Sequence, residues 1–438
     1  FEFRSSGTGG NDFGECHEIV GGGVRMRMKP FSELVEINPR VNLNKSAEYP
    51  FVEMGVVEPG KKYVQAGQKR VFKGDGSKFL PGDTLFARIT PCLENGKIAQ
   101  YKNQEGKVGF GSTEFFVFRA IPEFSDPDYV YYLSQSDVLR QPAEKSMSGA
   151  SGRQRADLKS IIDLYVPSPL LPTQRKIASI LSAYDDLIEN NLRHIKILEE
   201  MAQNLYREWF VKFQFPGHEN LHFVESQLGR MPEGWEVVPF TQIANVLSGG
   251  TPKTSVNDYW KGKIPFFAPK DSPNTFYVTV TDKSITELGL SKCNSKLYPK
   301  NTVFITARGT VGKVVMPPKD MAMNQSCYAL RGKAGINQLY LFLATKDKVE
   351  YLKKNTGGAT FDTIVIDTFE RMLVAKPGNK LISQFTVLVE SMFNLILNLT
   401  YKNQNLRQTR NLLLPRLISG EINVSNIEIT TQQETVEV

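Results

Sequence analysis

The segments PGDTLFARITPCLENGKIA (81–99) and PKNTVFITARGTVGKVV (299–315) are two versions of one pattern, and this repeat decides the fold. Each is followed by a second strand-like segment, GSTEFFVFRA (111–120) in the first copy and NQSCYALRG (324–332) in the second. Each copy then continues into a long helical pattern. We therefore expect the order globule, helix, globule, helix, with an internal pseudo-twofold relation of the kind that suits a two-part target such as duplex DNA.

Length and composition fit two globular domains. With 438 residues the chain exceeds the size at which a single core stops growing. The net charge of +7 favours a polyanionic partner only modestly. Four cysteines and four histidines without ligand spacing predict no metal site and a reducing, cytoplasmic setting. Because no apolar run reaches roughly 18 residues, no membrane span is expected.

Composition also suggests the domain boundaries. Residues 1–28 are glycine-rich without a secondary-structure period, so we expect a tag or a disordered segment, with Met26 or Met28 as the natural start. Between this segment and a tail at 424–438 we expect a first globular domain at 29–170, a helix at 171–212, a linker at 213–231, a second domain at 232–380, and a second helix with its end at 381–423.

Both helical segments carry side chains at alternating four- and three-residue spacings, which is typical of a coiled-coil seam. The expected first seam is Ile177, Leu181, Tyr184, Ile188, Asn191, Ile195, Leu198, Ala202, Leu205 and Trp209. The expected second seam is Leu388, Met392, Leu395, Leu399, Lys402, Leu406, Thr409 and Leu413. The repeat places Lys402 at the position of Asn191, and a polar residue within such a seam usually specifies register.

The arrangement of these helices has two interpretations. They could be ordinary core helices of one large domain. Because each helix follows its own globule, an antiparallel coiled-coil pair that separates two globules is the better account. Pro415 and Gly420 are expected to end the second helix, since proline lacks an amide and glycine allows a chain reversal.

Both globules read as mixed α/β domains of short strands, and the turns after their strands combine cations, hydroxyls and glycine. Arginine and lysine neutralise phosphates or read guanine edges, and hydroxyl and amide groups bond phosphates or bases. The expected DNA-contacting residues are Arg88, Thr90, Asn95, Lys97, Arg153, Arg155, Lys253, Lys270, Arg308, Thr310 and Lys313. The alternative is that these are solvated hairpin ends.

Catalytic signatures are missing from the sequence. GTVGKV (309–314) resembles a phosphate-binding loop, but Ala307 replaces its first glycine and Val314 replaces the Ser or Thr that holds magnesium. A metal-dependent nuclease site could use Asp83, Glu105 and Lys107. The repeat aligns Asn301 with Asp83, however, so this ligand would be lost from one copy. We expect no catalytic residue and no metal ligand.

Several segments resemble those of the specificity subunits of type I restriction-modification enzymes. In the second half they are PEGWEVVPF (232–240), ARGTVGK (307–313), MNQSCYALRG (323–332) and LLPRLISGEI (413–422). In the first half they are ARITPCLENGK (87–97), STEFFVFR (112–119) and VPSPLLPTQRKIASIL (166–181). PEGW has no counterpart before the first domain, so the two domains are expected to read unrelated sequences.

The resemblance implies two target recognition domains that each read one half of a bipartite, asymmetric DNA site, held apart by the paired helices. It also implies a subunit that is not an enzyme by itself. Two modification (methyltransferase) subunits would dock around the helices, and restriction (motor-nuclease) subunits would join them. S-adenosylmethionine, ATP and magnesium would belong to those partners. The alternatives are a single-chain site-specific restriction endonuclease and a coiled-coil scaffold that binds no DNA.

Overall fold

The computed structural model describes residues 18–21, 24–103, 105–355 and 363–427. The chain divides into two compact units, of which unit 1 is Phe1–Glu189 with Gln404–Val438 and unit 2 is Asn190–Asn403. The segment before residue 18 and the end of the expected tail lie outside the described residues. Each unit therefore contains part of both long helices.

Unit 1 combines three sheets with short helices. Its strands are β1 (Glu18–Gly21), β2 (Val24–Pro30), β3 (Val35–Ile37), β4 (Glu48–Val52), β5 (Tyr63–Val64), β6 (Gln68–Val71), β7 (Ser77–Phe79), β8 (Thr84–Ala87), β9 (Ile98–Tyr101), β10 (Gly109–Gly111), β11 (Phe115–Ala120) and β12 (Tyr165–Pro167). Its helices are α1 (Pro127–Gln135), α2 (Asp137–Lys145), α3 (Lys159–Ile162) and the first part of α4 (Leu171–Phe210). The sheet orders are β1-β2-β12, β6-β4-β10-β7 and β3-β11-β8-β9-β5.

Unit 2 is built in the same way. Its strands are β13 (Phe223–Val224), β14 (Met231–Pro232), β15 (Glu236–Pro239), β16 (Ala244–Ser248), β17 (Trp260–Phe267), β18 (Lys283–Ile285), β19 (Val303–Thr306), β20 (Val314–Val315), β21 (Ala322–Met323), β22 (Cys327–Gly332) and β23 (Leu373–Lys376). Its helices are α5 (Phe240–Ile243), α6 (Glu287–Ser291), α7 (Gln338–Asn355), α8 (Ile366–Arg371), the end of α4 and the first part of α9 (Asn379–Ile418), whose last part belongs to unit 1. The sheet orders are β13-β14, β15-β23, β16-β22-β19-β20 and β18-β17-β21.

The two central sheets have the same topology. Unit 1 contains the antiparallel order β3-β11-β8-β9, and unit 2 contains the antiparallel order β16-β22-β19-β20. A parallel pair accompanies each sheet, β4 with β10 in unit 1 and β17 with β21 in unit 2. All four residues of β8 and of β19 are buried, and three of the four in each strand are apolar. The internal repeat and the mixed α/β class are confirmed.

The start of the fold corrects the expectation for residues 1–28. Strand β1 pairs with β2, and β2 pairs in turn with β12, with Met28 opposite Pro167. The amide of Ser168 also donates to the carbonyl of Arg27 at 2.8 Å. The segment VRMRMK alternates apolar and basic residues, the two-residue period of a strand. The prediction that this segment lies outside the fold was therefore wrong for the described residues from 18 onward.

The first seam lies where it was expected on α4. Ile177, Leu181, Ile188, Asn191 and Ile195 are all at most 3% exposed. Tyr184, Leu198 and Leu205 are half-buried, and Ala202 and Trp209 are buried. Within unit 1, Asp185 of α4 contacts Arg410 of α9, and within unit 2, Asn191 contacts Asn403. Since partner numbers fall on α9 as they rise on α4, the helix segments run antiparallel in these contacts.

The second seam was predicted in the wrong phase. Leu388 and Leu395 are 47% and 46% exposed, and Lys402 and Thr409 are also exposed. Met392, Leu399, Leu406 and Leu413 are half-buried. The buried positions are instead Ile382, Phe385, Val389, Phe393, Ile396, Asn403, Arg410 and Leu417. Helix α9 has apolar residues on more than one face, so heptad spacing alone cannot identify the packed face.

Two further expectations about α9 need correction. Pro415 does not end the helix, which continues to Ile418 before Gly420 adopts a φ of 75°. Proline removes only its own amide bond, and its carbonyl still accepts from the amide of Ser419 at 2.9 Å. By length and composition α9 could also cross a membrane, with a mean hydropathy of 1.3 in its most apolar window. A core helix can meet the same criterion, and Phe385, Phe393 and Ile396 pack in the core of unit 2.

Candidate nucleic-acid interface

Arg88 follows β8 in unit 1, and its backbone is fixed on both sides. Its amide donates to the carbonyl of Glu114 at 3.0 Å, and its carbonyl accepts from the amide of Ala156 at 2.8 Å. The side-chain Nε donates to a Glu114 carboxylate oxygen at 3.2 Å, and the guanidinium lies 5.4 Å from the centre of the Phe116 ring. The side chain is 33% exposed. Arg88 is therefore an oriented cation at the surface.

Arg155 binds the same carboxylate from the opposite loop. Its Nε and Nη2 donate to the Glu114 oxygens at 2.6 to 3.0 Å. Its hydrogen bonds, together with those of Arg88, hold the pKa of Glu114 below its usual value. The neighbouring Arg153 is exposed, and the described residues offer its side chain no hydrogen-bond partner. Two arginines that share one carboxylate leave a net positive charge at this position.

Thr90 and Lys97 have internal roles that the sequence did not reveal. The hydroxyl of Thr90 accepts from the amide of Gln154 at 3.0 Å, and Thr90 is only 9% exposed. The ammonium of Lys97 donates to the carbonyl of Met54 at 2.8 Å. These bonds connect loops within unit 1, and contact of either residue with DNA stays a prediction. Asn95 is exposed in the same region.

A groove of about 510 Å³ opens beside Arg88 in unit 1. It lies along β11 beyond the end of β3. Strand β3 pairs with residues Phe118 to Ala120 of β11, and the amide of Asn38 then donates to the carbonyl of Val117 at 2.7 Å. Three cations, Arg40, Lys78 and Arg88, line the groove, and none of the residues that line it is acidic. Sequence reasoning missed Arg40 and Lys78 because neither belongs to the repeated motif.

In unit 2, Arg308 and Thr310 lie in the exposed turn after β19. The described residues provide no hydrogen-bond partner for the Arg308 side chain. Lys313 is half-buried and donates to the side-chain oxygen of Asn274 at 2.9 Å. The turn thus presents one unpaired arginine, whereas unit 1 presents an arginine pair held by a carboxylate.

A second groove, of about 440 Å³, lies in unit 2 around Trp260. The Trp260 ring has the ammonium of Lys283 5.2 Å from its centre, and its Nε1 donates to the carbonyl of Lys253 at 3.2 Å. Lys253 and Lys270 are exposed, and Lys270 forms an ion pair with Asp282. An aromatic ring among lysines suits the stacking of a base or a sugar beside phosphate contacts. Sequence reasoning named Lys253 and Lys270 in this region but missed Lys283.

The sheet register shows that Arg88 and Arg308 are not equivalent. In unit 1, Ala87 lies opposite Phe115 in the sheet, and the next amide, of Arg88, donates to the carbonyl of Glu114. In unit 2, Thr306 lies opposite Cys327, and the next amide, of Ala307, donates to the carbonyl of Ser326 at 2.8 Å. Ala307 and Ser326 therefore occupy the places of Arg88 and Glu114. Arg308 corresponds to Ile89, one residue further along. A shift of one residue in a strand reverses the face of a side chain, so the two arginines do not occupy the same place in their domains.

The carboxylate of Asp83, considered for a nuclease site, already accepts hydrogen bonds from other residues of the domain. Asp83 accepts from Arg119 Nε at 2.8 Å and Nη2 at 2.6 Å, and from the amide of Leu80 at 2.7 Å. The register aligns Thr302 with Asp83, instead of Asn301, because Arg331 bonds Thr302 as Arg119 bonds Asp83. Within the described residues, no cluster of three or more His, Cys, Asp or Glu side chains could hold a metal ion.

Comparison with known proteins supports the arrangement of the two domains. The family model of the type I restriction modification DNA specificity domain matches residues 28–200 and 232–380. The chain is 24% identical to the type I restriction enzyme HindI specificity subunit of Haemophilus influenzae, over 88% of this chain and 97% of that one. It is 26% identical to the MjaIX specificity subunit of Methanocaldococcus jannaschii, over 68% of this chain and 70% of that one.

A solved structure resembles the fold as well. It is the type I restriction-modification system S subunit from M. genitalium, with a TM-score of 0.52 and 14% identity, covering 89% of this chain and 95% of that one. The two matched segments coincide with the two repeated α/β domains, and each extends up to or into a long helix. The chain belongs to the family of type I restriction-modification DNA specificity subunits.

Proposed function

We propose that the chain recognises a bipartite, asymmetric DNA site, with one half read by the domain of unit 1 and the other by the domain of unit 2. The observation that carries this proposal is the repeat of one sheet topology with different surface chemistry. Unit 1 presents the arginine pair on Glu114, and unit 2 presents Trp260 with lysines. Two domains of one fold with unlike grooves read unlike sequences.

In this function the chain supplies specificity and its partners supply chemistry. Family membership assigns it to the specificity component of a larger assembly, not to an enzyme. Modification subunits bind around α4 and α9 and contribute S-adenosylmethionine, and restriction subunits contribute ATP and magnesium chemistry, in the cytoplasm. The exposed apolar side chains Ile197 and Met201 on α4, and Val387, Leu388 and Leu395 on α9, supply apolar contact area for such partners.

In this proposal, α4 and α9 set the gap between the two half-sites. The test inserts seven residues into α4 after Glu189 and seven into α9 after Asn403, because one heptad preserves the phase of both seams. At roughly 1.5 Å per residue the insertion adds about 10 Å, or roughly three base pairs. The expected result, read by sequencing methylated DNA from cells with the whole assembly, is two unchanged half-sites with a longer gap.

The control carries the insertion in α4 alone, which breaks the pairing of the two helices, so methylation should be lost. If the assembly with both insertions methylates the original motif with its original gap, the helices do not set the spacing. Exchange of residues 232–375 for those of another family member should alter one half of the motif only. A change in both halves would contradict the assignment of one domain to each half.

A further inference from the structure

The basic groove of unit 1 lies along β11 beyond the end of β3, between two loops. Ser77 donates its hydroxyl to the carbonyl of Phe115 at 2.8 Å, and Asn38 accepts on its side-chain oxygen from the amide of Val117 at 3.0 Å. These bonds fix the floor of the groove. Its cations, Arg40, Lys78 and Arg88, are not equivalent: Arg40 is exposed, and Lys78 lies over the Phe72 ring at 5.1 Å. Among the residues that the structure describes, a carboxylate holds the side chain of one of these three cations, Arg88.

The contact with Glu114 decides which part of Arg88 remains available. The Nε–H group of Arg88 donates to the carboxylate, and the described residues provide no hydrogen-bond partner for Nη1 or Nη2. Arg155 differs, because both its Nε and its Nη2 donate to Glu114. The two terminal amino groups of Arg88 therefore remain as a pair of parallel donors. Paired arginine donors match the O6 and N7 acceptors of guanine in the major groove.

The geometry points to Arg88 as the reader of a guanine in the half-site recognised by unit 1, with Glu114 and Phe116 as positioning residues and Arg40 and Lys78 as phosphate contacts. This inference rests on the proposed function and names the base class that this site selects. Arginine fixed in advance loses less conformational freedom on binding than a mobile side chain. Ala307 and Ser326 replace the pair in unit 2, so the same reader is absent from the other half-site.

The experiment uses the full chain in complex with its modification subunits and duplex DNA that contains the mapped methylation motif. Each guanine of the motif is replaced in turn by 7-deazaguanine, which lacks the N7 acceptor, and the rate of methylation and the binding constant are measured. For the natural chain we expect one guanine in one half-site at which this replacement weakens recognition by roughly 5- to 150-fold. For Arg88→Ala the same replacement should have no further effect.

Two variants separate base reading from charge. Arg88→Lys keeps the positive charge but loses the paired donors, so it should lose selectivity at that guanine as Arg88→Ala does. Lys145→Ala removes one exposed positive charge from unit 1 outside the groove and should leave the response to 7-deazaguanine unchanged. The inference fails if Arg88→Lys restores selectivity, if Arg88→Ala weakens all sequences alike, or if no guanine responds in the natural chain.

These outcomes are distinct from failure of the proposed function. An assembly that methylates no defined motif would overturn both proposals. An assembly that methylates a bipartite motif and responds to no guanine through Arg88 would overturn only this inference. If Arg88→Ala fails to fold, the natural chain on substituted DNA and the Arg88→Lys variant still decide the question.

Discussion

Helix α4 carries a buried carboxylate in unit 1, Asp185, and a half-buried one in unit 2, Glu199, and the two carboxylates have different partners. In unit 1, Asp185 forms an ion pair with Arg410 of α9 and accepts from the Tyr132 hydroxyl at 2.7 Å. In unit 2, Glu199 accepts from the backbone amide of Phe276 at 2.6 Å. Asp185 thus ties α4 to both the second helix and the domain, whereas Glu199 ties α4 only to a loop of its domain.

The pKa values of the two carboxyls follow from these surroundings. Burial raises the pKa of Asp185, and the charge of Arg410 and the Tyr132 hydroxyl oppose that rise. Burial raises the pKa of Glu199 to about 7, and the Phe276 amide and Lys346 oppose it less effectively. The comparison shows two ways to attach a domain to one helix. Removal of one member disrupts a charged network and weakens the attachment of the domain, whereas ionisation of a single carboxyl makes the attachment depend on pH.

Arg410→Ala should have the largest effect. The substitution leaves Asp185 buried without its ion partner, and removal of one member of such a pair costs about 3–5 kcal/mol. We expect the free energy of unfolding of unit 1 to fall by this amount, measured by hydrogen exchange of residues 177–188 in increasing denaturant. The fluorescence transition of Trp209, Trp235 and Trp260 should change less, since all three tryptophans belong to unit 2.

The matched control replaces both members, as Asp185→Leu with Arg410→Met. Replacement of a whole buried pair by apolar side chains is often neutral or stabilising, so the double variant should recover most of the loss. If the double variant is less stable than Arg410→Ala, the loss of stability does not come from the unpaired buried charge alone. Arg410 also donates to the carbonyl of Gly60 at 3.1 Å and to the side-chain oxygen of Asn411 at 3.0 to 3.2 Å.

Glu199→Gln should have an intermediate effect that depends on pH. Since the pKa of Glu199 is raised in the folded protein, the unfolded chain loses its proton first, and stability falls as pH rises from about 4.5 to about 7. For one proton the slope is at most about 1.4 kcal/mol per pH unit. Glutamine can still accept from the Phe276 amide but cannot ionise.

The charged groups near Glu199 are Lys346 and Glu200, which oppose and reinforce the rise in its pKa, respectively. We expect the variant to be more stable than the natural chain at pH 8 and to show a weaker pH dependence between pH 5 and 7. Tryptophan fluorescence in denaturant at each pH measures this. Equal pH dependence in both proteins would show that Glu199 is not the group that titrates.

The sequence predicted the repeat and the first seam because both depend on local periodicity. Ile177, Leu181 and Ile188 stand out on α4, because most residues on its other faces are polar. The sequence did not identify the buried face of α9, because Leu388 and Leu395 there recur with the same period as the buried residues Phe385 and Val389. A heptad pattern identifies a buried face only when the remaining faces are polar.

The candidate site was predicted in part for a similar reason. Arg88 and Arg155 were named from the sequence, but their shared partner Glu114 is 26 residues from the first and 41 from the second along the chain. Only tertiary structure reveals such a contact. Arg88 and Arg308 occupy different places in their domains, and a shift of one residue between strands leaves no mark in the sequence.

The smallest effect is expected at the polar contact between the helices in unit 2. Asn191 donates its side-chain amide to the side-chain oxygen of Asn403 at 2.8 Å, and both residues are at most 3% exposed. The side-chain nitrogen of Asn403 has no partner among the described residues. A buried polar pair of this kind specifies register at a cost in stability.

Asn191→Leu with Asn403→Leu should therefore leave the free energy of unfolding within about 1 kcal/mol of the natural value, or raise it, since two buried polar groups that need partners are removed together. Asn191→Leu alone leaves Asn403 with no partner at all and should cost about 1–3 kcal/mol. Tryptophan fluorescence in denaturant measures both, because the pair and all three tryptophans belong to unit 2. If the single variant is as stable as the double variant, the two asparagines do not stabilise each other, and Asp185 with Arg410 is left as the buried polar contact that aligns α4 with α9.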